Sequence, residues 1–231
     1  MLNSPLLGGE DPTGPGAASP PVANDPDHTL DLLHELAASL ARAIDAKDPH
    51  TKAHSEEVAE ISRLLARGLG LSPLQVRVVH VAGHLHDIGK IGVPDAVLGK
   101  PGRLTAGEWR HIKAHPALGA DILAPLTSLS ALGVVAMVRA HHERWDAGGY
   151  PAGLAGEAIP LGARIIAVAD SLSAMLQTRP YRPAMRFDAA CAEILAGAGT
   201  QFDPAVVAVF DRLQPSLRDL TRMFRQAGPR T

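Results

Sequence analysis

The sequence predicts an all-α protein folded as one helical domain, and three observations predict it. Aromatic residues are only 3% of the 231 residues while apolar residues are 46%, so the core has to be assembled mainly from Ala, Leu, Val and Ile. Side chains of this kind suit closely packed helices, whereas sheets draw more heavily on aromatics and Thr. Along most of the chain apolar residues recur at helical spacing, and no period-two alternation runs long enough to argue for a strand.

Residues 1–27 stand apart. They are rich in Pro, Gly, Ser and Asp without an apolar period. Such a segment buries too little surface to offset its ordering entropy, and a disordered tail or linker is expected there. A single domain is expected over 28–231. Leu30, Leu32, Leu33, Leu36, Leu40 and Ile44 mark its first helix. Val58, Ile61, Leu64 and Leu65 mark a second, which stops near Gly68-Leu69-Gly70. Ser72-Pro73-Leu74-Gln75 is a helix start, with Pro at the first helical position and a Gln placed to complete a capping box. The helix it opens runs towards Asp87 and ends at Gly89. Thr105-Ala106-Gly107-Glu108 repeats that spacing and opens a helix through Lys113. Further helices are expected over 116–124, 128–142, 162–178, 187–196, 204–212 and 215–226, with Phe187-Asp188 and Asp203-Pro204 marking two of the starts.

Charge and composition exclude several functions. A formal charge of −2 argues against a nucleic-acid polymer or a membrane surface as partner. The one cysteine, Cys191, rules out an internal disulfide and any multi-cysteine zinc site. It reads as a small buried hydrophobe on an Ala-rich helix. No apolar run approaches the roughly 18–20 residues of a membrane span. The N-terminus lacks the basic and apolar regions of a secretory signal, so a cytoplasmic protein is expected.

The chemistry is concentrated in the histidines. There are eleven, all before Glu143. His86-Asp87 lies near the end of a helix, where a neighbouring imidazole and carboxylate can reach one cation and the carboxylate can bridge to a second. Alone the pair is weak, since His-Asp also occurs as a plain hydrogen-bonded pair. Its company is His54, His115, His141-His142 and Asp170. The run His141-His142-Glu143 is the least expected of these in a purely structural helix. Nitrogen and carboxylate donors without thiolates suit Fe, Mn, Zn or Ni.

A specific resemblance then emerges. The matching text begins at Asp48-Pro49-His50-Thr51-Lys52-Ala53-His54-Ser55 and His84-Leu85-His86-Asp87-Ile88-Gly89-Lys90-Ile91-Gly92-Val93-Pro94. It continues through Lys100-Pro101-Gly102-Arg103-Leu104-Thr105, His115-Pro116, His141-His142-Glu143-Arg144-Trp145-Asp146 and Gly149-Tyr150-Pro151. Ile159-Pro160-Leu161, Arg164-Ile165-Ile166, Ala169-Asp170 and Arg179-Pro180-Tyr181-Arg182 complete it. In this order, from about residue 30 to about 212, the chain resembles the HD-GYP domain, the branch of the HD phosphohydrolase superfamily associated with cyclic di-GMP breakdown.

The resemblance implies an HD-type helical bundle and a binuclear centre. His54, His86, Asp87 and Asp170 would form the basic metal site, and His115, His141 and His142 would add a second ion, with Asp87 bridging. Some members hold a third metal through a glutamate four residues before the first histidine. Here that residue is His50, on the same helical face as His54. Two divalent ions are the expected complement. They would lower the pKa of a bridging water and neutralise phosphate oxygens during attack on a phosphodiester. Asp87 and Lys90 are the expected catalytic residues, with Lys90 also contacting the scissile phosphate or leaving oxygen; the plain alternative is a solvated lysine. Arg179 and Arg182 would hold the second phosphate or a guanine, their forked donors suiting that task, or else are surface arginines.

The implied function is hydrolysis of cyclic di-GMP to linear pGpG, with GMP as the alternative final product. The alternative is a catalytically weak cyclic di-GMP receptor, or a docking module for diguanylate cyclase (GGDEF) domains through the Gly149-Tyr150-Pro151 loop. A homodimer is compatible with either. Two residues depart from the family pattern. Ala147 replaces a loop glycine, and Gly148 is available to take over the turn. Ser173 replaces an aspartate expected on the substrate side of the centre, three residues after Asp170.

Overall fold

The structure is a computed structural model that describes residues 26–48, 53–178 and 183–226. Eleven α-helices occur among the described residues: α1 (Pro26–Lys47), α2 (His54–Gly68), α3 (Pro73–Leu85), α4 (Asp95–Leu98), α5 (Ala106–Lys113), α6 (His115–Leu123), α7 (Thr127–Ala131), α8 (Val134–Ala140), α9 (Leu161–Leu176), α10 (Phe187–Ala196) and α11 (Pro204–Gln226). No β-strand forms among them, and the all-α expectation holds; the only sheet-like pairings are isolated bridges at Asp146–Ala155 and Ala198–Phe202. Helix α1 already begins at Pro26, two residues before the boundary expected at 28. The rest of the expected tail, residues 1–25, lies outside the described residues.

The two expected capping boxes are present. Ser72 Oγ accepts from Gln75 N while Gln75 Oε1 accepts from Ser72 N, which starts α3. Thr105 and Glu108 exchange the same pair of bonds and start α5. Each box satisfies two backbone donors that a helix start otherwise leaves free.

Helix α2 lies between α3 and α9, and these three form the centre of the domain. Their shared interior holds Ile61, Leu65, Val79, Leu85, Ile165 and Leu172, all buried, with Phe210 of α11 against them. Burying each such side chain stabilises by roughly 1.5–3 kcal/mol before ordering entropy is counted. Cys191 is buried in the same core, as expected of a small apolar residue.

Two boundaries differ from the sequence pattern. The helix expected over 128–142 is broken into α7 and α8 at Gly133, whose φ of 82° is a left-handed conformation that ends a helix and that glycine adopts without strain. Conversely, α11 runs unbroken through Pro215, where two helices were expected. A proline omits one backbone donor, but Phe210 before it and Leu217 after it are both fully buried, so packing holds the two halves in line.

Candidate metal centre

Three of the expected ligands stand immediately after helix ends. His86 follows α3, His141 follows α8, and His115 follows the residue that ends α5. The last turn of a helix leaves carbonyl oxygens without partners. Each of these imidazoles uses one: His86 Nδ1 donates to Gly83 O, His115 Nδ1 to Ile112 O and His141 Nδ1 to Val138 O, all at 2.7 Å. The bond fixes the proton on Nδ1 and aims the Nε2 lone pair inward, the usual outer support of a metal-binding histidine.

His54, the first residue of α2, uses a different support. Its Nδ1 donates to Ser173 Oγ, and Ser173 in turn donates to Glu57 Oε2 at 2.6 Å. Arg225 of α11 holds the other Glu57 oxygen. The sequence pattern placed Ser173 on the substrate side of the centre. The structure places it fully buried behind His54, so its lack of charge acts on a ligand's orientation.

The inward nitrogens converge in two sets. His54, His86 and Asp170 bring one donor atom each within 4.8 Å of one another, and His115, His141 and His142 do the same. Asp87 joins the sets. Its Oδ2 lies 3.3 Å from His86 Nε2 and 3.8 Å from His54 Nε2, while its Oδ1 lies 3.2 Å from His115 Nε2. All seven expected ligands are therefore together. His50, Arg179 and Arg182 lie outside the described residues.

The donor set fits cations on this geometry. His86 Nε2 is buried with no hydrogen-bond partner. His115 Nε2 and His141 Nε2 face each other at 3.2 Å although both rings place their protons on Nδ1, so two lone pairs oppose one another unless positive charge lies between them. Nitrogen and carboxylate donors of this kind suit borderline divalent metals.

Electrostatics separate the two sets. Burial and the neighbouring His142 and His115 lower the pKa of His141. Burial takes His142 down to about 4, although Asp170 works against it. Burial also opposes charge on His86, but Asp87 and Asp170 outweigh it and lift its pKa to about 9. Asp170 is held well below the carboxylate range, its burial outweighed by His54.

Lys90 sits on the turn that follows, Ile88–Gly92. Its Nζ lies 2.8 Å from Asp87 Oδ2 and 3.2 Å from Asp48 Oδ2. The ammonium is largely withdrawn from water, yet Asp87 and Asp48 keep its pKa above the ordinary value. It is therefore no solvated surface lysine. Gly89 lets this turn approach α6: a Cβ there would stand 1.9 Å from His115 O, so no side chain fits.

The loop after His142 closes one side. Glu143, a residue the sequence quoted without a role, accepts from Ala152 N at 2.7 Å and Leu154 N at 3.1 Å. Asp146 caps the turn by accepting from Gly148 N and from Arg144. The Tyr150 ring packs on His142 at 4.9 Å, so the loop lies against the centre as expected. Ala147 itself adopts the left-handed conformation, with φ 64°; Gly148 does not take it over. His54, His86, His115 and His141 are at most 2% exposed, whereas His142, Tyr150, Lys90 and Asp170 keep partial exposure. The centre opens on that side.

Fold and site together define a helical protein with adjoining clusters of histidines and carboxylates that could hold metal ions. The HD domain model matches residues 38–206, and the chain belongs to the HD domain family, with the HD-GYP motifs given above. It is 44% identical over 197 residues to the cyclic di-GMP phosphodiesterase response regulator RpfG of Xanthomonas campestris, covering 85% of this chain and 52% of that protein. It is 40% identical over 187 residues to 3′3′-cGAMP-specific phosphodiesterase 3 of Vibrio cholerae, covering 81% of this chain and 40% of that protein. The chain thus spans about half the length of these relatives, or less. A crystal structure of a cyclic GMP-AMP-specific phosphodiesterase from Vibrio cholerae shares the fold, with a TM-score of 0.63 at 23% identity over 82% of this chain and 50% of that one. No helix among the described residues is long and apolar enough to cross a membrane.

Proposed function

We propose that the chain is a metal-dependent phosphodiesterase that hydrolyses cyclic di-GMP to linear pGpG, with GMP as the alternative final product. The observation that carries the reading is the division of Asp87 between the two histidine sets, one oxygen facing His86 and the other His115. His54, His86 and Asp170 would hold one divalent ion, and His115, His141 and His142 a second, with Asp87 shared. Fe, Mn, Ni and Zn all suit the donors. When bound, such ions activate water and neutralise developing charge on a phosphodiester.

The protein's own part is positioning and charge. The anionic substrate enters on the open side, past His142, Tyr150 and Asp170. Lys90 meets it with a fixed positive charge beside Asp87 and exchanges its Asp48 contact for a phosphate oxygen. Tyr150 and the loop braced by Glu143 form one wall of that opening, beside His142. Arg179 and Arg182 are assigned the second phosphate or a guanine. His50 is the position from which a third ion would be held. The names of the relatives support a cyclic dinucleotide as substrate class. Docking of a diguanylate cyclase domain on Gly149-Tyr150-Pro151 rests on the sequence resemblance, and a homodimer is compatible with it.

The receptor alternative leaned on Ser173 and Ala147. Ser173 still supports His54, and Ala147 lies in the loop outside the ligand set, so both leave the centre whole and the enzyme is the better reading. Hydrolysis of cyclic di-GMP by the chain reconstituted with Mn, Fe or Ni tests it, with 3′3′-cGAMP run alongside. Turnover that survives the His86→Ala, Asp87→Ala double substitution defeats the reading. Binding without turnover in all three metals favours the receptor.

A further inference from the structure

A third group of histidines lies on the other side of α3. His84 precedes His86 by two residues, which turns it about 200° around a helix, away from Asp87. There it meets His80, one turn earlier on α3, and His34 from α1. The ring centroids are 4.7 Å apart for His34 and His80, 4.8 Å for His80 and His84, and 5.2 Å for His34 and His84. One donor atom from each lies within 4.8 Å of the others.

Buried histidine nitrogens are ordinarily hydrogen-bonded. Here His34 Nε2 and His84 Nδ1 are both buried with no hydrogen-bond partner. A carboxylate stands at the edge of the group: Glu60 Oε1 of α2 lies 3.1 Å from His80 Nε2. Arg63 Nε occupies the other Glu60 oxygen at 3.0 Å, leaving Oε1 turned to the histidines. Arg77, the nearby cation, is ion-paired with Asp31, so its charge is answered. His34 and His80 are only half-buried, which leaves a way in from solvent.

We propose that His34, His80 and His84, with Glu60, form a further divalent-metal site of the zinc type, separate from the Asp87 centre, which fastens α1 to α2 and α3. Three imidazole nitrogens and one carboxylate oxygen match a closed four-coordinate site for Zn²⁺, and Co²⁺ or Ni²⁺ take the same donors. Donors on one zinc ion lie about 3.3 Å apart, so small side-chain rotations bring these onto a single ion. The four ligands come from three helices, so occupancy raises stability by binding the folded state alone.

The test uses the full chain with its Asp87 centre disabled by His86→Ala, Asp87→Ala and His141→Ala, titrated with Co²⁺. One equivalent is expected to bind, with the visible absorption of nitrogen-ligated Co²⁺ and a rise in melting temperature. Adding His34→Gln and His80→Gln should abolish both while the circular dichroism stays helical. No Co²⁺ uptake by the disabled chain, or uptake that the two glutamines leave unchanged, overturns the proposal. Should the fivefold variant fail to fold, anomalous scattering from Zn²⁺-soaked crystals of the unsubstituted protein decides. A peak among the three rings supports the site, and a peak only at Asp87 removes it.

Discussion

His54 Nδ1 donates to Ser173 Oγ over 2.9 Å, and this bond orients the ring of a ligand that begins a helix. Substituting Ser173→Ala removes the acceptor and leaves Glu57 without the hydroxyl. Metal affinity at the His54, His86, Asp170 set should fall by roughly 10- to 100-fold, in line with loss of an outer-shell partner. The fold should persist, because alanine fits where serine did. Metal titration of the variant checks this; an unchanged affinity would show that Ser173 does not support His54.

Ala147 holds φ 64° without being glycine. The substitution Ala147→Gly relieves that conformation and should stabilise the chain by about 1 kcal/mol or less, net of the greater freedom glycine has when unfolded. Because the residue lies on the loop and not among the ligands, kcat should hold within a factor of two or so. Denaturant melts compare the two chains, and a less stable glycine variant contradicts the strain assigned here.

The two metal subsites should load with different pH dependence. With no metal, His86 carries a proton at neutral pH, since its pKa is lifted to about 9. A cation has to displace that proton, so apparent affinity at this set should weaken by about tenfold per pH unit as pH falls below the raised value. His141 and His142 have lowered pKa values and are already neutral at pH 7, so they contribute no such loss. Calorimetry in two buffers of different ionisation enthalpy counts the released protons. Proton-free loading at both sets refutes the assignment.

Lys90 competes with any cation for Asp87, being 2.8 Å from its Oδ2. Replacing it, Lys90→Met, should leave metal content equal or higher while kcat/KM drops by on the order of 100-fold, the scale for losing one preorganised charge contact. A purely structural lysine would instead lower metal content and activity together.

Gly89→Ala tests the approach of the Lys90 turn to α6. Its Cβ would stand 1.9 Å from His115 O, so the backbone carrying His115 has to move. The predicted result is loss of one metal equivalent, from the His115 set, before the other. Equal loss from both sets, or none, would mean the turn yields and not His115.

Much of this centre was legible in the sequence, and the reason is local. His86-Asp87, His141-His142 and the capping boxes at Ser72 and Thr105 are short-range patterns, and the structure has them where the spacing put them. What stayed hidden depends on residues far apart in the chain. Ser173 and His54 are separated by 119 positions, and nothing near either one reveals that they share a proton. Glu143 was visible as part of a motif, but its two backbone partners across the loop were not. The pair His80 and His84 has a readable i, i+4 spacing, whereas His34 joins them only because α1 packs on α3. Pro215 misled because local propensity gave way to the burial of Phe210 and Leu217 on either side.

The placement of His86, His115 and His141 after helix ends has an effect beyond steering protons. Three helices, α3, α5 and α8, direct their carboxyl-terminal ends at one spot. Each such end carries the equivalent of roughly half a negative charge from its aligned peptide dipoles. Two other helices, α2 and α6, begin at His54 and His115 and offset part of this, so the carboxylates of Asp87 and Asp170 supply most of the negative potential. A cation is drawn into such a place, and a phosphate is turned away from it. Order of binding follows: ions settle first, and only the loaded centre welcomes an anion.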